Sequence, residues 1–562
     1  MFSLAQSLKQ LRASVVPSAC LLVAAVGFPA AAQLLPPEVA IYSQFRADPN
    51  FDLSSNPEPN DRIGSDFAVG DFDNDGFPEL AIGCALEDLG LDYVNSGWVS
   101  VVDGSPSGPD ASAPLDIWDQ QGDIAGLEES GDTVGFSTAA GDFNGDTFMD
   151  LVMGSPGEAI GSETRAGSIN VIYGAAGGLQ EAGNRQFYQR LEIGGNSVPG
   201  ASEAGDQFGY SLAVGDFNGD NMDDLAIGVP DEDLGSNPAI VNAGAIVVLY
   251  GRPVIGLDPQ NAQGINRDWA GMLESPGAGD SFGWSLAAGD FNGDTIDDLA
   301  VGVPEDSRAT TNAGSVDVIY GSDDGLDTTT NEVWTLDSPD VAGDAEVNDA
   351  FGWSLAVGNF NGDSFDDLAI GIPDRATTEM NSTISEHGAA SVLYGTGSGL
   401  SGLGSLYLEQ GMDGIDSFNE NGDSFGEDVA AGDVNGDGYD ELLVGIPGER
   451  VFFGPSGRDG AGAALLVRGT MTGLTTSGAE FFDYNRVGAP ATGDALAHRV
   501  ALGDFDADGK DDVVLAVPGR AVYTQAGDLI SSAGEVLVLP SGWIFADGFE
   551  SGDLTEWSQA SP

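Results

Sequence analysis

The chain has 562 residues, of which 83 are glycine, and its 90 acidic and 18 basic side chains give a formal charge of −72. This charge disfavours nucleic acids and anionic membranes as partners, because both would be repelled. The hydrophobic fraction of 41% exceeds that of a disordered acidic polymer. We therefore expect a folded protein whose surface charge favours divalent cations or a salty medium.

The first predicted element is a secretory signal peptide at residues 1–32. Lys9 and Arg12 precede an apolar run at 15–28, and small residues follow as far as Ala32, where we expect cleavage. The apolar run is too short to span a membrane, and no later run reaches the roughly 20 residues that a span requires. The sequence thus predicts a secreted protein, extracellular or at the cell surface, with no transmembrane segment. Only Cys84 would remain, so we expect no disulfide and a buried thiol.

A strand is predicted at about 38–45, in "EVAIYSQF", and it has no partner nearby in the sequence. An acidic phrase then recurs at intervals of 71, 74, 74, 69, 74 and 71 residues. Each copy lies between an aromatic-glycine phrase such as "FGYSLAVG" and an apolar run such as "LAIGVP". A third strand such as "AGAIVVLYG" follows, and then a fourth that contains an aromatic residue, as in "RQFYQRL" or "NRDWAGML".

Seven units of four short strands, without a helical period, predict an all-β fold. We expect a seven-bladed β-propeller of four-stranded antiparallel blades at residues 33–542. The last unit has no fourth strand of its own, so strand 38–45 is expected to complete blade seven. The tail at 543–562 departs from the repeat, and it is either a sorting signal or an ordinary disordered end.

The aromatic-glycine pairs, together with the following "GSP", "GVP" or "GIP", resemble the FG-GAP repeats of the integrin α-chain propeller and its bacterial relatives. The resemblance covers about residues 38–542 and implies calcium-binding loops and a face that meets protein ligands. The tail phrase "DGFESG" with a later tryptophan resembles the endings of some secreted proteobacterial proteins, which indicates a bacterial source. The pairs that carry the resemblance are Phe208-Gly209, Phe282-Gly283, Phe351-Gly352 and Phe425-Gly426, with Phe67-Ala68 and Leu496-Ala497 expected to replace them in the first and last units.

The acidic loops are predicted calcium sites, up to seven in number and one per blade. Calcium takes six to eight oxygen ligands at flexible geometry, and each loop offers side chains at positions 1, 3, 5 and 9 and a carbonyl at position 7. The predicted ligands are Asp71, Asp73, Asp75, Phe77, Glu79; Asp142, Asn144, Asp146, Phe148, Asp150; Asp216, Asn218, Asp220, Met222, Asp224; Asp290, Asn292, Asp294, Ile296, Asp298; Asn359, Asn361, Asp363, Phe365, Asp367; Asp433, Asn435, Asp437, Tyr439, Glu441; and Asp504, Asp506, Asp508, Lys510, Asp512.

The loops have two other interpretations, an EF-hand and a plain acidic turn. An EF-hand requires a glutamate at position 12 and flanking helices, whereas position 12 is apolar in every copy. Plain acidic turns are the remaining alternative, since Asp, Asn and Gly are common turn residues. That alternative leaves three or four neighbouring carboxylates without a cation to offset their repulsion.

The loops are not expected to be equal. Blade five has Asn359 at position 1 and keeps only two carboxylates, so it is predicted to be the weakest site, while blades one and seven have four each. Position 6 favours a left-handed backbone, which Thr147, Thr295 and Ser364 adopt less readily than glycine does. We expect those three loops to differ in conformation or affinity.

The sequence contains no catalytic constellation that we recognise, so we predict a protein that is not an enzyme. "GDSFG" at 279–283 and 422–426 matches the hydrolase nucleophile elbow but lacks its strand-turn-helix setting. We expect His498 to be packed and His387 to be solvated. The tryptophans at strand positions are expected to pack between blades: Trp98, Trp118, Trp269, Trp284, Trp334 and Trp353.

The predicted function is binding, adhesion or scaffolding, by a monomer, of protein or glycan ligands at the cell surface or in the matrix. The alternative is a secreted carbohydrate-active or ester-cleaving enzyme that uses acidic residues in the propeller channel. A third possibility is that the acidity is an adaptation to a salty habitat and that calcium is secondary.

Overall fold

A computed structural model describes residues 40–42, 60, 62–88, 94–110, 116–120, 124–190, 198–235, 239–379, 382–415, 417–453, 456–483, 491–523, 529–530 and 532–544. The chain divides into two compact units, Met1–Leu34 and Leu35–Pro562, and all the described residues belong to the second. The predicted signal peptide and the tail beyond residue 544 lie outside the described residues. None of the described helices has the length and apolar character needed to cross a membrane.

The described residues form seven blades of four antiparallel strands each, which confirms the predicted β-propeller. Blades one to four are β2(Phe67–Gly70), β3(Glu79–Cys84), β4(Trp98–Val102), β5(Asp116–Trp118); β6(Ser137–Gly141), β7(Asp150–Ser155), β8(Ser168–Tyr173), β9(Gln180–Phe187); β10(Leu212–Gly215), β11(Asp224–Val229), β12(Ala245–Tyr250), β13(Asp258–Ile265); and β14(Leu286–Gly289), β15(Asp298–Val303), β16(Ser315–Tyr320), β17(Asp327–Trp334).

Blades five to seven follow the same order, with a small extra hairpin inserted after the second strand of each. They are β18(Leu355–Gly358), β19(Asp367–Ile372), β22(Ala389–Thr396), β23(Gly399–Leu408); β24(Val429–Gly432), β25(Glu441–Ile446), β28(Ala463–Arg468), β29(Thr475–Asp483); and β30(Val500–Gly503), β31(Asp512–Val517), β34(Glu535–Leu539), β1(Ala40–Tyr42). The hairpins are β20(Thr377–Glu379) with β21(Ser382–Ile384), β26(Val451–Phe453) with β27(Ser456–Arg458), and β32(Val522–Tyr523) with β33(Leu529–Ile530); a single helical turn, α1(Ser541–Ile544), ends the described chain.

The second strand of each blade is buried on both faces. All six residues of β11 and of β15 are buried, which matches their continuous apolar sequences. Side chains of neighbouring blades share one cluster, as Val316 and Val318 of blade four do with Leu368 and Ile370 of blade five. The outer strand β9 is exposed over its first half. The core is therefore a set of apolar layers between blades.

The first strand of the chain closes the ring, as predicted. β1 pairs antiparallel with β34, with Ala40 opposite Val538 and Tyr42 opposite Val536. On the inner side β2 contacts both β6 and β30, so the first and last blades are neighbours. A cluster that includes Ile82 and Val514 fills the space between them.

In blades two to five a serine two residues after the aromatic-glycine pair, or after its equivalent Val134-Gly135, ties the blade to the next. The hydroxyls of Ser137, Ser211, Ser285 and Ser354 donate hydrogen bonds to the carbonyls of Gly209, Gly283, Gly352 and Gly426, over 2.8 to 3.1 Å. The second strand passes close to this contact, and a Cβ on Gly302 would collide with the Ser285 hydroxyl and the Gly352 carbonyl. This close approach explains the glycine in "VGVP".

The first blade requires a correction. Phe67 begins the inner strand β2, opposite Ile82, in the register that Leu212 has opposite Ile227. The pair that replaces Phe-Gly is therefore Ile63-Gly64 and not Phe67-Ala68. Gly64 N donates to the Gly83 carbonyl at 2.9 Å, as the glycines of the other blades do at the same place. The prediction located the pair by the aromatic ring of Phe67, whereas the glycine, Gly64, marks its position.

Replacing Ser285 with alanine tests the serine contacts. The change leaves the Gly352 carbonyl without its donor, so we expect the free energy of unfolding to fall by about 1 kcal/mol. Chemical denaturation of the two proteins measures this difference. Ser398→Ala, at an exposed turn, is the matched control and should leave the midpoint unchanged; equal effects of the two variants would contradict the proposed tie between blades.

Candidate functional site

Each acidic loop joins the first strand of a blade to the second, so all seven loops lie on one face of the propeller. In blades three to seven position 8 is an aspartate, a residue that the sequence analysis missed, and there it hydrogen-bonds its loop to that of the preceding blade. Asp223 accepts from Asp142 N at 2.6 Å, and Asp366 accepts from Asp290 N at 3.0 Å. In the sequence this residue is the first of the two acids in "DDL", whereas the predicted ligand at position 9 is the second.

The loop of blade two shows how its carboxylates are held. Asp142 accepts hydrogen bonds from the backbone N–H groups of positions 4, 5 and 6 at 2.8 to 3.1 Å. Asp146 accepts from Phe148 N at 3.1 Å. Asp150 accepts from the N–H groups of Phe143 at 3.2 Å and Gly174 at 2.9 Å. The backbone thus gathers the carboxylates of positions 1, 5 and 9 into one short turn.

The carboxylates come closest in the first and last blades. Oxygens of Asp71, Asp73, Asp75 and Glu79 all lie within 4.8 Å of one another, and so do those of Asp504, Asp506 and Asp508. These spacings suit ligation of a single cation. Among the described residues these are the two groups of three or more acidic, histidine or cysteine side chains that meet this spacing. In blade two, position 3 is Asn144, whose amide nitrogen donates to Asp150 at 3.3 Å and leaves its oxygen available to a metal.

The acid at position 9 begins the second strand and is buried in every blade. Burial, together with repulsion from the other acids of the loop, raises the pKa of this carboxyl well above its ordinary value. The pKa is about 8 for Glu79, Asp150, Asp224, Asp298 and Glu441 and about 7 for Asp367 and Asp512. A divalent cation in the loop would offset this cost.

The loop of blade five differs from the other six. Asn359 has a nitrogen where the other blades have a second carboxylate oxygen, and this nitrogen donates to the Asp363 carbonyl at 2.9 Å. An amide nitrogen cannot accept the bond that position 6 donates elsewhere, such as Thr295 N to Asp290 at 2.8 Å. Ser364 is also absent from the left-handed region that position 6 adopts in the other blades.

The threonines at position 6 do not behave as expected. Thr147 and Thr295 adopt φ of 75° and 73°, and they make the same hydrogen bond to position 1 as glycine does. The three bonds that the position 1 aspartate accepts hold the strained backbone in place. Of the three loops expected to differ in conformation or affinity, therefore, only that of Ser364 differs in conformation, and a difference in affinity stays a prediction.

A pocket of about 180 Å³ lies at the centre of the opposite face, where the inner strands begin. Four aromatic side chains form an arc along one side of it, each from the residue after an aromatic-glycine pair or its equivalent. Phe136, Tyr210, Trp284 and Trp353 follow one another at ring-centroid distances of 4.8 to 4.9 Å, tilted by 45° to 46°. The arc gives the pocket an apolar wall in blades two to five.

The other side of the pocket is polar and comes from blades one, six and seven. Asp66, Glu427, Asp428 and Arg499 line it. Burial raises the pKa of Asp66 and of Asp428 to about 6, although Arg499 and backbone donors lower it. Asp66 accepts from Thr138 N at 2.6 Å and Asp428 from Val500 N at 2.7 Å. These two acids therefore tie neighbouring blades together, as the serines do elsewhere.

The pocket corrects the interpretation of several tryptophans. Trp98 and Trp118 are buried and Trp334 packs against an interblade cluster, as expected. Trp284 and Trp353 instead line the pocket, and Trp269 is 47% exposed in a turn beyond β13. The fourth strand of blade three is the polar segment Asp258–Ile265, which the search for an aromatic strand missed.

The two histidines are both removed from solvent to some degree. His387, expected to be solvated, is fully buried, because it precedes Gly388 at the place where Ala243 and Ala313 are buried in other blades. The backbone N–H of His387 donates to the Arg375 carbonyl at 3.0 Å, and the backbone carbonyl of His387 accepts from Phe425 N at 3.0 Å. His498 is packed beside Arg499, and burial and this cation lower its pKa to about 4.

The serines of the two "GDSFG" phrases have φ of 58° and 54°, at Ser281 and Ser424. The same strained backbone occurs at the equivalent residues of other blades, at Gln207 and Ala350, whose side chains are not nucleophiles. The strain therefore belongs to the repeat rather than to a nucleophile elbow.

Comparison with known proteins agrees with this architecture. A sequence profile described as "FG-GAP repeat" matches residues 134–172, 208–249, 282–319, 351–384, 425–467 and 497–539. Phosphatidylinositol-glycan-specific phospholipase D of Bos taurus is 33% identical over 171 residues, which are 30% of this chain and 19% of that protein. Integrin alpha-8 of Gallus gallus is 28% identical over 254 residues, 44% of this chain and 21% of that protein.

The matched segment is thus about a fifth of the length of these relatives. Among solved structures, a rhamnogalacturonan lyase of Bacillus licheniformis aligns over 85% of this chain and 72% of its own, with 12% identity and a TM-score of 0.39.

Exchanging asparagine and aspartate at position 1 of the loop tests how much this residue contributes to calcium affinity. Asn359→Asp supplies the missing acceptor and a third carboxylate, so we expect the site of blade five to bind calcium about tenfold more tightly. Asp142→Asn makes the reverse exchange and should weaken the site of blade two by a similar factor. Isothermal titration of the chelated proteins measures both; unchanged affinities in both variants would contradict the role given to position 1.

Proposed function

Because the chain belongs to the FG-GAP repeat proteins, we propose that it is a secreted, calcium-stabilised propeller that binds protein or glycan ligands. Its place of action is the cell surface or the matrix, where it serves in adhesion or as a scaffold. The seven loops hold up to seven calcium ions on one face. The ligand binds on the opposite face, at the central pocket. The arc of four stacked aromatic side chains is the observation that carries the binding site.

Calcium is supported by the buried carboxylate that closes every loop. Seven such groups with raised pKa values oppose folding when they are charged and unpaired. Oxygen ligands in short flexible loops suit calcium better than magnesium, which requires near-ideal octahedral geometry. The acidic clusters of blades one and seven offer the largest number of carboxylates to one ion.

The central pocket suits a ligand with both an apolar and a polar side. The faces of Trp284 and Trp353 offer stacking area to a sugar ring or to an aromatic or cationic side chain. On the polar side of the pocket, Glu427, which is hydrogen-bonded to Trp353, and Arg499 offer one charge of each sign. A pocket of this kind, with one apolar wall and a few converging polar groups, is typical of a binding site.

The acids of the pocket favour binding over catalysis. Asp66 and Asp428 already accept short backbone hydrogen bonds from the next blade. A general acid or base needs a carboxyl that is free to exchange a proton with a substrate. Glu427 is the pocket acid without such a backbone bond among the described contacts, and a single carboxyl does not provide the pair that glycoside hydrolysis uses. The enzyme alternative is therefore the weaker proposal.

Removal of calcium is expected to destabilise the protein strongly. An ion that binds only the folded state adds ~2.7 kcal/mol per site at a hundredfold excess over its Kd, so several sites together should raise the midpoint of thermal unfolding by many degrees. Scanning calorimetry of the chelated protein during calcium titration measures this rise. Magnesium and high sodium chloride are the controls; a rise that salt reproduces equally would instead support adaptation to a salty habitat.

Loss of the aromatic arc is expected to abolish ligand binding without unfolding the protein. The double variant Trp284→Ala and Trp353→Ala should lose binding to glycan and matrix-protein arrays probed with labelled protein in calcium. Trp269→Ala, exposed and outside the pocket, is the matched control and should bind normally. If the double variant binds as well as the control, the ligand site lies elsewhere on the propeller.

A further inference from the structure

A second set of acidic residues lies on the face that carries the central pocket, away from the calcium loops. In blades two to seven a buried aspartate stands two residues before the aromatic-glycine pair or its equivalent, and its carboxylate accepts a hydrogen bond from the N–H three residues earlier. We call these the entry aspartates; they are Asp132, Asp206, Asp280, Asp349, Asp423 and Asp494.

Each entry aspartate faces a charged residue that follows the second strand of the same blade, two positions after the proline. In blade four this residue is Asp306, and the guanidinium of Arg267 joins it at 2.9 Å to Asp280 at 3.4 Å. Arg267 comes from the end of the outer strand of blade three. A buried cation thus bridges two buried carboxylates and links two blades.

Blades five and seven balance the same charge in another way. There the residue after the proline is itself basic, and Arg375 pairs with Asp349 at 2.7 Å while Arg520 pairs with Asp494 at 2.9 Å. In blade five the place of Arg267 is taken by the apolar Leu336. In each of these three blades the entry aspartate is therefore paired with one cation, which comes from the same blade in blades five and seven and from blade three in blade four.

Blades two, three and six have two carboxylates and no cation. The acids are Asp132 with Glu158, Asp206 with Glu232, and Asp423 with Glu449, and in the described part of the chain none of the six forms an ion pair with a basic side chain. The place of Arg267 is occupied by a glutamine in all three. We call the three sets the glutamine triads; their glutamines are Gln120, Gln189 and Gln410.

Each glutamine directs its amide at the carboxylate after the proline. The amide nitrogen donates to Glu158 at 3.0 Å, to Glu232 at 2.9 Å and to Glu449 at 2.6 Å. The other amide atom, Oε1, has no hydrogen-bond partner in any of the three, although the glutamines are only 6%, 2% and 2% exposed. A buried amide oxygen without a partner is costly, and its recurrence at three equivalent places indicates a missing partner.

The pKa of the carboxyl two positions after the proline differs between the blade with arginine and the blades with glutamine. Burial would raise the pKa of Asp306, but Arg267 and other donors hold it at about 2. Burial and the neighbouring acids raise the pKa of Glu232 and of Glu449 to about 7 at the same position of the repeat. The charged form of these carboxylates is thus disfavoured in the glutamine triads, where no cation offsets burial, and favoured in the blade with arginine.

We propose that each glutamine triad binds one divalent cation of the calcium type, in the place that the Arg267 guanidinium takes in blade four. Two carboxylates and one amide oxygen are hard oxygen ligands, and their charge of −2 matches the ion. Half a turn of the amide brings Oε1 to the carboxylates in place of the nitrogen. The glutamine comes from one blade and the acids from the next, so the ion would join two blades. These sites are independent of the seven loops.

Exchanging glutamine and arginine between blades tests the proposal. In the full chain, Gln189→Arg copies blade four into blade three, so native mass spectrometry at saturating calcium should show one ion fewer per molecule than in the wild type. Arg267→Gln makes the reverse exchange and should show one ion more. A stoichiometry that Gln189→Arg leaves unchanged would overturn the proposal.

Because Arg267 also pairs with the buried Asp317, the Arg267→Gln variant could fail to fold, and a second measurement avoids this dependence. Crystals of the wild type soaked in terbium should show anomalous density at all three triads, and crystals of Gln189→Arg should lack the peak in blade three only. Density in the loops with none at the triads would overturn the proposal and leave a shared proton or a water between the acids. Density at the triads with none in the loops would overturn the calcium loops instead.

Discussion

The fold depends on one constraint, which is that no blade can bury its own apolar surface. The second strand of each blade is buried along its whole length and largely apolar after the acid that begins it, and both of its faces need a neighbour. An open stack of the seven blades would leave two such faces in water, and closing the ring, in which β1 pairs with β34, removes both. Repeats of this kind gain stability from nearest-neighbour interfaces, so each added blade also depends on the ones beside it.

The same constraint sends the polar groups to the two ends of the strands. The blade faces are occupied by apolar layers, and the carboxylates of the loops and the entry aspartates lie where strands begin or end; Asp317, inside β16, is paired with Arg267. The position 9 acid at the start of β11 and the entry aspartate before it illustrate the two faces: Asp224 belongs to the loop and Asp206 to the pocket side. Both are buried, because the layers extend to the ends of the blades. Cations bound at both ends of the strands would offset the cost of burying these charged carboxylates.

The architecture could be predicted because each of its signals is local and repeated. The period, the glycine-proline phrases and the orphan strand at residues 38–45 together specify seven blades and their closure. The loops could be recognised for the same reason, and the exception in blade five follows from a single residue, Asn359. The errors came from places where one blade departs from the others. Phe67 and Trp269 were assigned by their aromatic rings, whereas glycine and strand register decide those positions.

The central pocket and the glutamine triads could not be predicted in this way, since each joins residues from different blades. The pocket collects residues from all seven blades, and in each triad a glutamine meets a glutamate of the next blade 38 to 43 positions further on. The residue after the aromatic-glycine pair is Phe136, Tyr210, Trp284, Trp353, Glu427 and His498 in successive blades, starting from Ser65 in the first. The next residue is bound to the neighbouring blade and is therefore a serine or an aspartate in six of the seven. The fold leaves the first of these two positions free to vary. Side chains that packing does not determine, gathered around one axis, are where such a protein acquires specificity, because a change there alters the ligand site without weakening the ring.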